Sequence, residues 1–343
     1  MNSAFLHSLG VQKKMKINSI HLHKINNFSP SPKTNFIKQS QVTDSFCFSG
    51  KKPINNDNTS NNIKKAVEFF DKLVNLPKEK EIEQKDLQNI VHEYAPDVTV
   101  LPMSTLKAKI PNADFYGAFF SSHINPDFTA TEQELYIDKA KGRGNVERFA
   151  FAIDSAHEFT HAMQIQKGKS IEKLKELSNG DYNYAKFLMG FGDTLFSFFD
   201  NQLQAQATLP TFYNLQDSVN IQRYGTIIPR PTTISENSIY QGLKLNSEKE
   251  FNQQMNAVFE ALFYRIFQEN QSTPEFKNAI PKTENLDSIK AKVKKYCAVK
   301  AADEKEAYTT EVKAAKQHLN TNKSLNIEIR PIYYEKLERL FSK

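Results

Sequence analysis

The sequence has no tryptophan, only two cysteines and only 11 glycines in 343 residues. Cys47 and Cys297 cannot build a disulfide framework or a cysteine-rich metal site, and they are compatible with a reducing compartment. No run of 18 apolar residues occurs, so a transmembrane helix is not expected. The richest stretch, Phe187 to Phe199, is shorter and is interrupted by Asp193. The first residues, Ala4-Phe5-Leu6 followed by His7, lack the long apolar segment of a signal peptide, so the expected location is cytoplasmic. What is plentiful is aromatic volume: 26 Phe and 13 Tyr, with 39% of residues hydrophobic. Those numbers suffice for a sizeable core.

A surplus of positive charge is lacking too, once the tail is set aside. Residues 1–65 carry ten Lys and no Arg against Asp44 and Asp57, a net of +8; the whole chain is +6, which leaves −2 for the rest. A near-neutral body presents no basic face for nucleic acid. Residues 1–62 are rich in Asn, Ser, Lys and Pro without apolar period, and read as a disordered basic tail. Within it, Phe46-Cys47-Phe48 reads as a stray apolar patch in preference to a thiol that caps a metal. The domain is expected to span 63–343.

Periodicity then organises the chain. Ile63, Val67, Phe70, Leu73 and Val74 recur at helical spacing, and a second helix is expected over Glu83–His92. Val98–Met103, Asp114–Ser121 and Glu134–Asp138 read as strands, and 141–144 as a turn. A helix is expected from about Val146, with Asn145 as N-cap, a buried stripe of Phe149, Ile153, Ala156, Thr160 and Met163, and Gly168 just beyond its C-terminus. The remainder reads as mostly helical: Ile171–Leu177, Tyr182–Leu203, Ser247–Glu269, Leu286 to about Leu319, and Ile332–Phe341. Pro210–Asn246 reads as a long surface loop, of the kind that often serves as a lid.

The chemistry is carried by His157-Glu158-Phe159-Thr160-His161, an H-E-x-x-H pattern. On a helix, positions i and i+4 share a face, so both imidazoles can reach one zinc ion at ~2.0–2.1 Å. Glu158 lies on the adjacent shoulder, where it can touch a water on the metal without being a ligand, and act as general base. Only five histidines lie outside the tail: His92, His123, His157, His161 and His318. A third histidine at the H-x-x-G-x-x-H spacing is excluded by Gln164 and Lys167. His318 reads as exposed, and His123 as a solvated residue of a strand-connecting loop. The third ligand is therefore expected to be a carboxylate. The segment Ala301 to Tyr308 is the best place for it, because Glu304, Tyr308 and Glu311 share a face of a helix slimmed by Ala301, Ala302, Ala307, Ala314 and Ala315. Glu304 leads, Glu311 is the runner-up, and Glu306 and Glu260 remain as alternatives.

H-E-F-T-H followed by Ala162-Met163-Gln164, with a later E-x-x-A on a helix, resembles the gluzincin metallopeptidases. The resemblance covers about residues 95–168 and 298–316. It implies two helices facing each other across a zinc ion, the second supplying a glutamate. The E-x-x-A pattern matches Glu304 to Ala307 and again Glu311 to Ala314. Many gluzincins carry an acidic residue just after that Ala, orienting a ligand histidine; here Tyr308 stands there, and Asp154 is the alternative. Tyr308, Tyr213 and Tyr224 are candidates for steadying an oxyanion.

The expected fold is therefore α+β and zincin-like: a small twisted sheet packed on the active-site helix, followed by a mostly helical part. The expected function is zinc-dependent hydrolysis of peptide bonds in a peptide or protein substrate, with the edge strand Glu134–Asp138 aligning that substrate by β-addition. The rival is a non-enzymatic helical binding module with a relic metal site. No oligomeric state is legible.

Overall fold

Local sequence sets most helix starts. Ser60 caps α1 (Asn61–Val74) by accepting from Ile63 N–H, so helical order begins slightly before the expected boundary at 63. The computed structural model describes residues 60–77, 82–110, 118–137, 145–205, 236–322 and 324–343. The tail readings up to residue 59, the turn at 141–144, and Tyr213 and Tyr224 lie outside these. α2 (Gln84–His92) leads into β1 (Thr99–Leu101), α3 (Met103–Lys109), β2 (Ala118–Ile124) and β3 (Ala130–Ile137). The remaining helices are α4 (Asn145–Lys167), α5 (Lys169–Leu177), α6 (Tyr182–Ala205), α7 (Glu236–Gly242), α8 (Glu248–Asn270), α9 (Pro274–Ala279), α10 (Leu286–His318) and α11 (Ile329–Phe341). The chain is thus mixed α/β, mostly helical, with one small sheet among the described residues.

The sheet order is β1-β3-β2, with β1 parallel and β2 antiparallel to β3. This corrects two expectations. The strand containing Glu134 is central and has no free edge for a substrate; β2 is an edge strand instead. His123 lies within β2, beside a bulge between Ser121 and His123, and not in a connecting loop. Met103 starts a helix that strand-like residues before it concealed, and α7 and α9 were likewise not anticipated. β2 alternates buried and half-buried positions, as a strand with one face on a core must.

Two apolar clusters form the interior. One gathers α1, α2, the sheet and α4, with Phe69 stacked on Phe159 at 4.4 Å between ring centroids. The other gathers α5, α6, α8, α11 and the first half of α10. α10 spans both, since Ile289 to Ala301 belong to the second cluster and Ala314 and Ala315 to the first. Where α4 meets α10, buried Ala156, Ala307 and Ala314 permit close approach, and Thr160 Oγ1 donates to Thr310 Oγ1 at 2.9 Å. Gly168 ends α4 with φ of +70°, a conformation in which a side chain would be strained. Among the described residues, no helix is long and apolar enough to cross a membrane.

Candidate metal centre

α4 presents His157, Glu158 and His161, and α10 presents Glu304 across from them. His157, His161 and Glu304 each offer one ligand atom, all within 4.8 Å of one another. His157 Nε2 lies 3.5 Å from Glu304 Oε2, and His161 Nε2 lies 3.7 Å from Glu304 Oε1. Ligand atoms on a tetrahedral ion with bonds of ~2.0–2.1 Å stand about 3.3 Å apart; the two His–Glu304 separations, each to a different carboxylate oxygen, are near this, and the group as a whole spans up to 4.8 Å. The donor set, two imidazoles and a carboxylate, suits a borderline divalent metal.

The outward nitrogens support the same fit. His157 Nδ1 is 2.8 Å from Glu311 Oε1, and Glu311 Oε2 is 3.2 Å from the Arg330 guanidinium. His161 Nδ1 is 2.8 Å from Gln164 Oε1. Both Nδ1 atoms thus face acceptors, an arrangement that would leave both Nε2 atoms to a metal when one replaces the protons there. Gln164 is itself fixed, since its Nε2 donates to the Asp303 carbonyl at 2.9 Å and to Glu306 Oε2 at 3.0 Å.

These contacts set Glu304, which lies with both histidines, apart from the alternative carboxylates. Glu311 is not in the ligand group but stands behind His157, filling the place for which Tyr308 and Asp154 were considered. Asp154 is exposed. Glu306 turns to Gln164, Ser60 and Asn62. Glu260 pairs with Lys290 at 3.1 Å on a half-exposed surface. Tyr308 packs its ring against His157 at 4.5 Å and stacks on Tyr334. Gln164 was named in the sequence pattern but its part was not foreseen. The available signal was its i+3 spacing from His161.

Electrostatics are strongly coupled here. Burial raises the Glu304 pKa, but His161, His157 and Lys300 outweigh it and bring it down to about 2. Burial alone would lower His157; its bonds to Glu304 and Glu311 prevail and raise it well above the ordinary value. His161 is lowered, chiefly by burial. Glu158 is raised to about 7 by burial, with Glu304 adding to this and His157 and the Phe120 N–H opposing it. That N–H donates to Glu158 Oε2 at 3.0 Å, tying β2 to the centre. Burial would lower Lys300, but Asp193, Glu304, Asp303 and Asp200 together raise it.

The ligand group and Glu158 line a cavity of about 130 Å³ between β2, α4, α5, α6 and α10. Comparison of the chain with protein-family models, with curated proteins and with solved structures finds no match.

Proposed function

We propose that the chain is a zinc-dependent peptidase in which His157, His161 and Glu304 hold the ion and Glu158 is the general base. The observation that carries this reading is the convergence of two imidazoles and one carboxylate, with ligand atoms within 4.8 Å of one another and both Nδ1 atoms already committed to acceptors. Three protein ligands leave one position open, which is the pattern of a catalytic site and not of a closed structural one. Zinc, when bound, would supply a Lewis acid toward the carbonyl oxygen of the scissile bond.

The protein's own groups do the rest. Glu158 takes a proton from the attacking water at its carboxylate and later delivers it to the nitrogen of the leaving amine. A carboxylate held beside the metal ligands suits both halves of that task. The Phe120 N–H keeps the Glu158 carboxylate oriented, and β2, as an edge strand whose Phe119, Phe120 and Ile124 line the cavity, is the strand along which an extended substrate lies. The resemblance of the H-E-F-T-H segment to gluzincins supports the same reading.

The test joins metal analysis with hydrolysis. The purified protein is expected to carry about one zinc per chain and to cleave an unstructured peptide. Glu158→Gln is expected to keep the metal and lose ~10²–10⁴ of the rate. A zinc-free protein that still cleaves, or a Glu158→Gln variant with wild-type rate, would overturn the proposal.

A further inference from the structure

The cavity that the candidate metal ligands line holds more charge than the proposed reaction uses. Its apolar wall is made by Ile124, Ile171, Leu174, Met189 and Phe196. Into it project three further carboxylates, Asp193, Asp200 and Asp303, and one ammonium, Lys300. Asp200 accepts from Tyr334 Oη, and Asp303 accepts from Ser170 Oγ at 2.8 Å. Asp193 is different. It is only 5% exposed on the apolar helix α6. Its Oδ1 accepts from Tyr296 Oη at 3.0 Å and lies 4.0 Å from Lys300 Nζ, while its Oδ2 is buried with no hydrogen-bond partner.

A buried carboxylate oxygen without a donor costs the full desolvation of that atom, and a positive charge beside the Asp193 carboxylate offsets that cost. The charge balance says which ligand. Even with a divalent ion bound, five carboxylates (Glu158, Asp193, Asp200, Asp303 and Glu304) outnumber its two charges and the one ammonium of Lys300, so an added anion is repelled and an added cation is attracted. The size says how large: cavities near ~150 Å³ hold one benzene-sized group, so this one admits a single side chain.

We propose that the cavity is a specificity pocket for a cationic group on an apolar stem, the lysine or arginine side chain of a peptide, with the Asp193 carboxylate as its counter-charge. The peptide nature of the ligand rests on the peptidase reading; the preference for a cation rests on the cavity alone.

The test uses the full-length, zinc-loaded protein carrying Glu158→Gln, so that bound peptide is not turned over. Peptides blocked at both ends differ only at one central position: lysine, norleucine or glutamate. A fourth peptide has norleucine and a free amino terminus. Each carries a tryptophan, whose fluorescence reports binding without interference because the protein has none. The lysine peptide is expected to bind about tenfold or more tightly than the norleucine peptide, as a charge-assisted hydrogen bond provides, and the glutamate peptide most weakly. Asp193→Asn keeps the acceptor for Tyr296 and removes the charge, and is expected to erase the lysine preference while zinc content stays unchanged. Equal binding of lysine and norleucine peptides overturns the proposal, whether or not Asp193→Asn folds. Tightest binding of the free-amine norleucine peptide also overturns it, since the cation recognised is then the chain terminus. A protein that prefers the lysine peptide but whose wild-type form cleaves nothing loses the peptidase reading and keeps the pocket; cleavage without a cation preference does the reverse.

Discussion

His157 and His161 sit one turn apart on α4, yet their surroundings differ. His157 is backed by a carboxylate that is itself paired with Arg330, whereas His161 is backed by a neutral amide held by Glu306 and a carbonyl. Glu311 therefore raises the basicity of His157 and helps keep its proton when metal is absent. On the proposed reading a metal displaces that proton, and so its affinity is expected to fall as pH drops through the raised His157 pKa. Partners of this kind are worth about 10–100-fold in metal affinity. Glu311→Gln and Gln164→Leu are each expected to weaken zinc binding within that range, while Glu304→Ala abolishes it. Competition against a fluorescent chelator measures all three. Full affinity in Glu304→Ala together with its loss in Glu311→Ala would exchange the two assignments.

Elements approach closely where the sequence allows it, and α6 and α10 do so at Gly192. A Cβ built there would lie 2.9 Å from Tyr296 Cε1 and nearer still to Cδ1. Alanine gains about 1 kcal/mol over glycine in a helix interior, but overpacking a rigid buried ring costs about 1–3 kcal/mol. Tyr296 is also tethered to Asp193, so it cannot easily step aside. Gly192→Ala is therefore expected to lower the denaturant midpoint; a rise would mean that Tyr296 moves freely. The contact between α1 and α10 offers a pH test. Burial and nearby Glu68 raise the Asp71 pKa to about 6, and Gln317 Nε2 donates to its Oδ2 at 2.7 Å. Because the folded value exceeds the unfolded one, the ionised carboxylate costs stability fully above pH 6, and the cost fades as pH falls toward 4. Discounted for its partial exposure, the penalty is about 1 kcal/mol. Asp71→Asn keeps the acceptor for Gln317 and is expected to raise the melting temperature at pH 8 but not at pH 4. What the sequence made legible at this scale was local. The two histidines share a face by helix geometry, and the scarcity of other histidines pointed to a carboxylate on α10. The place of β3 inside the sheet depends on β1 arriving parallel to it, and the choice between Glu304 and Glu311 depends on how α4 and α10 cross. Neither is written in periodicity, because both are settled by partners distant in the chain.

At the scale of the molecule, the ligand group joins the two apolar clusters. His157 and His161 come from α4, packed in the cluster with the sheet, and Glu304 comes from the stretch of α10 between that cluster and the other. Without a cation, Glu304 and Glu158 lie in one buried site with Asp193, Asp200 and Asp303 nearby; burial first, and then repulsion by the Glu304 charge, raises Glu158, Asp193, Asp200 and Asp303. A divalent ion relieves that repulsion and ties the two clusters through α4 and α10. On the proposed reading it binds the folded chain and has no such site in the unfolded one, so it would stabilise by mass action. At free zinc 1,000 times its dissociation constant the gain is about 4 kcal/mol. At roughly 2–4 °C per kcal/mol for chains of this order, zinc is expected to raise the melting temperature by about 8–16 °C over the chelator-treated protein. Calorimetry with and without added zinc measures this. His161→Ala should melt at the same temperature in both conditions; if it responds as the wild type does, the stabilising ion sits elsewhere and not between α4 and α10.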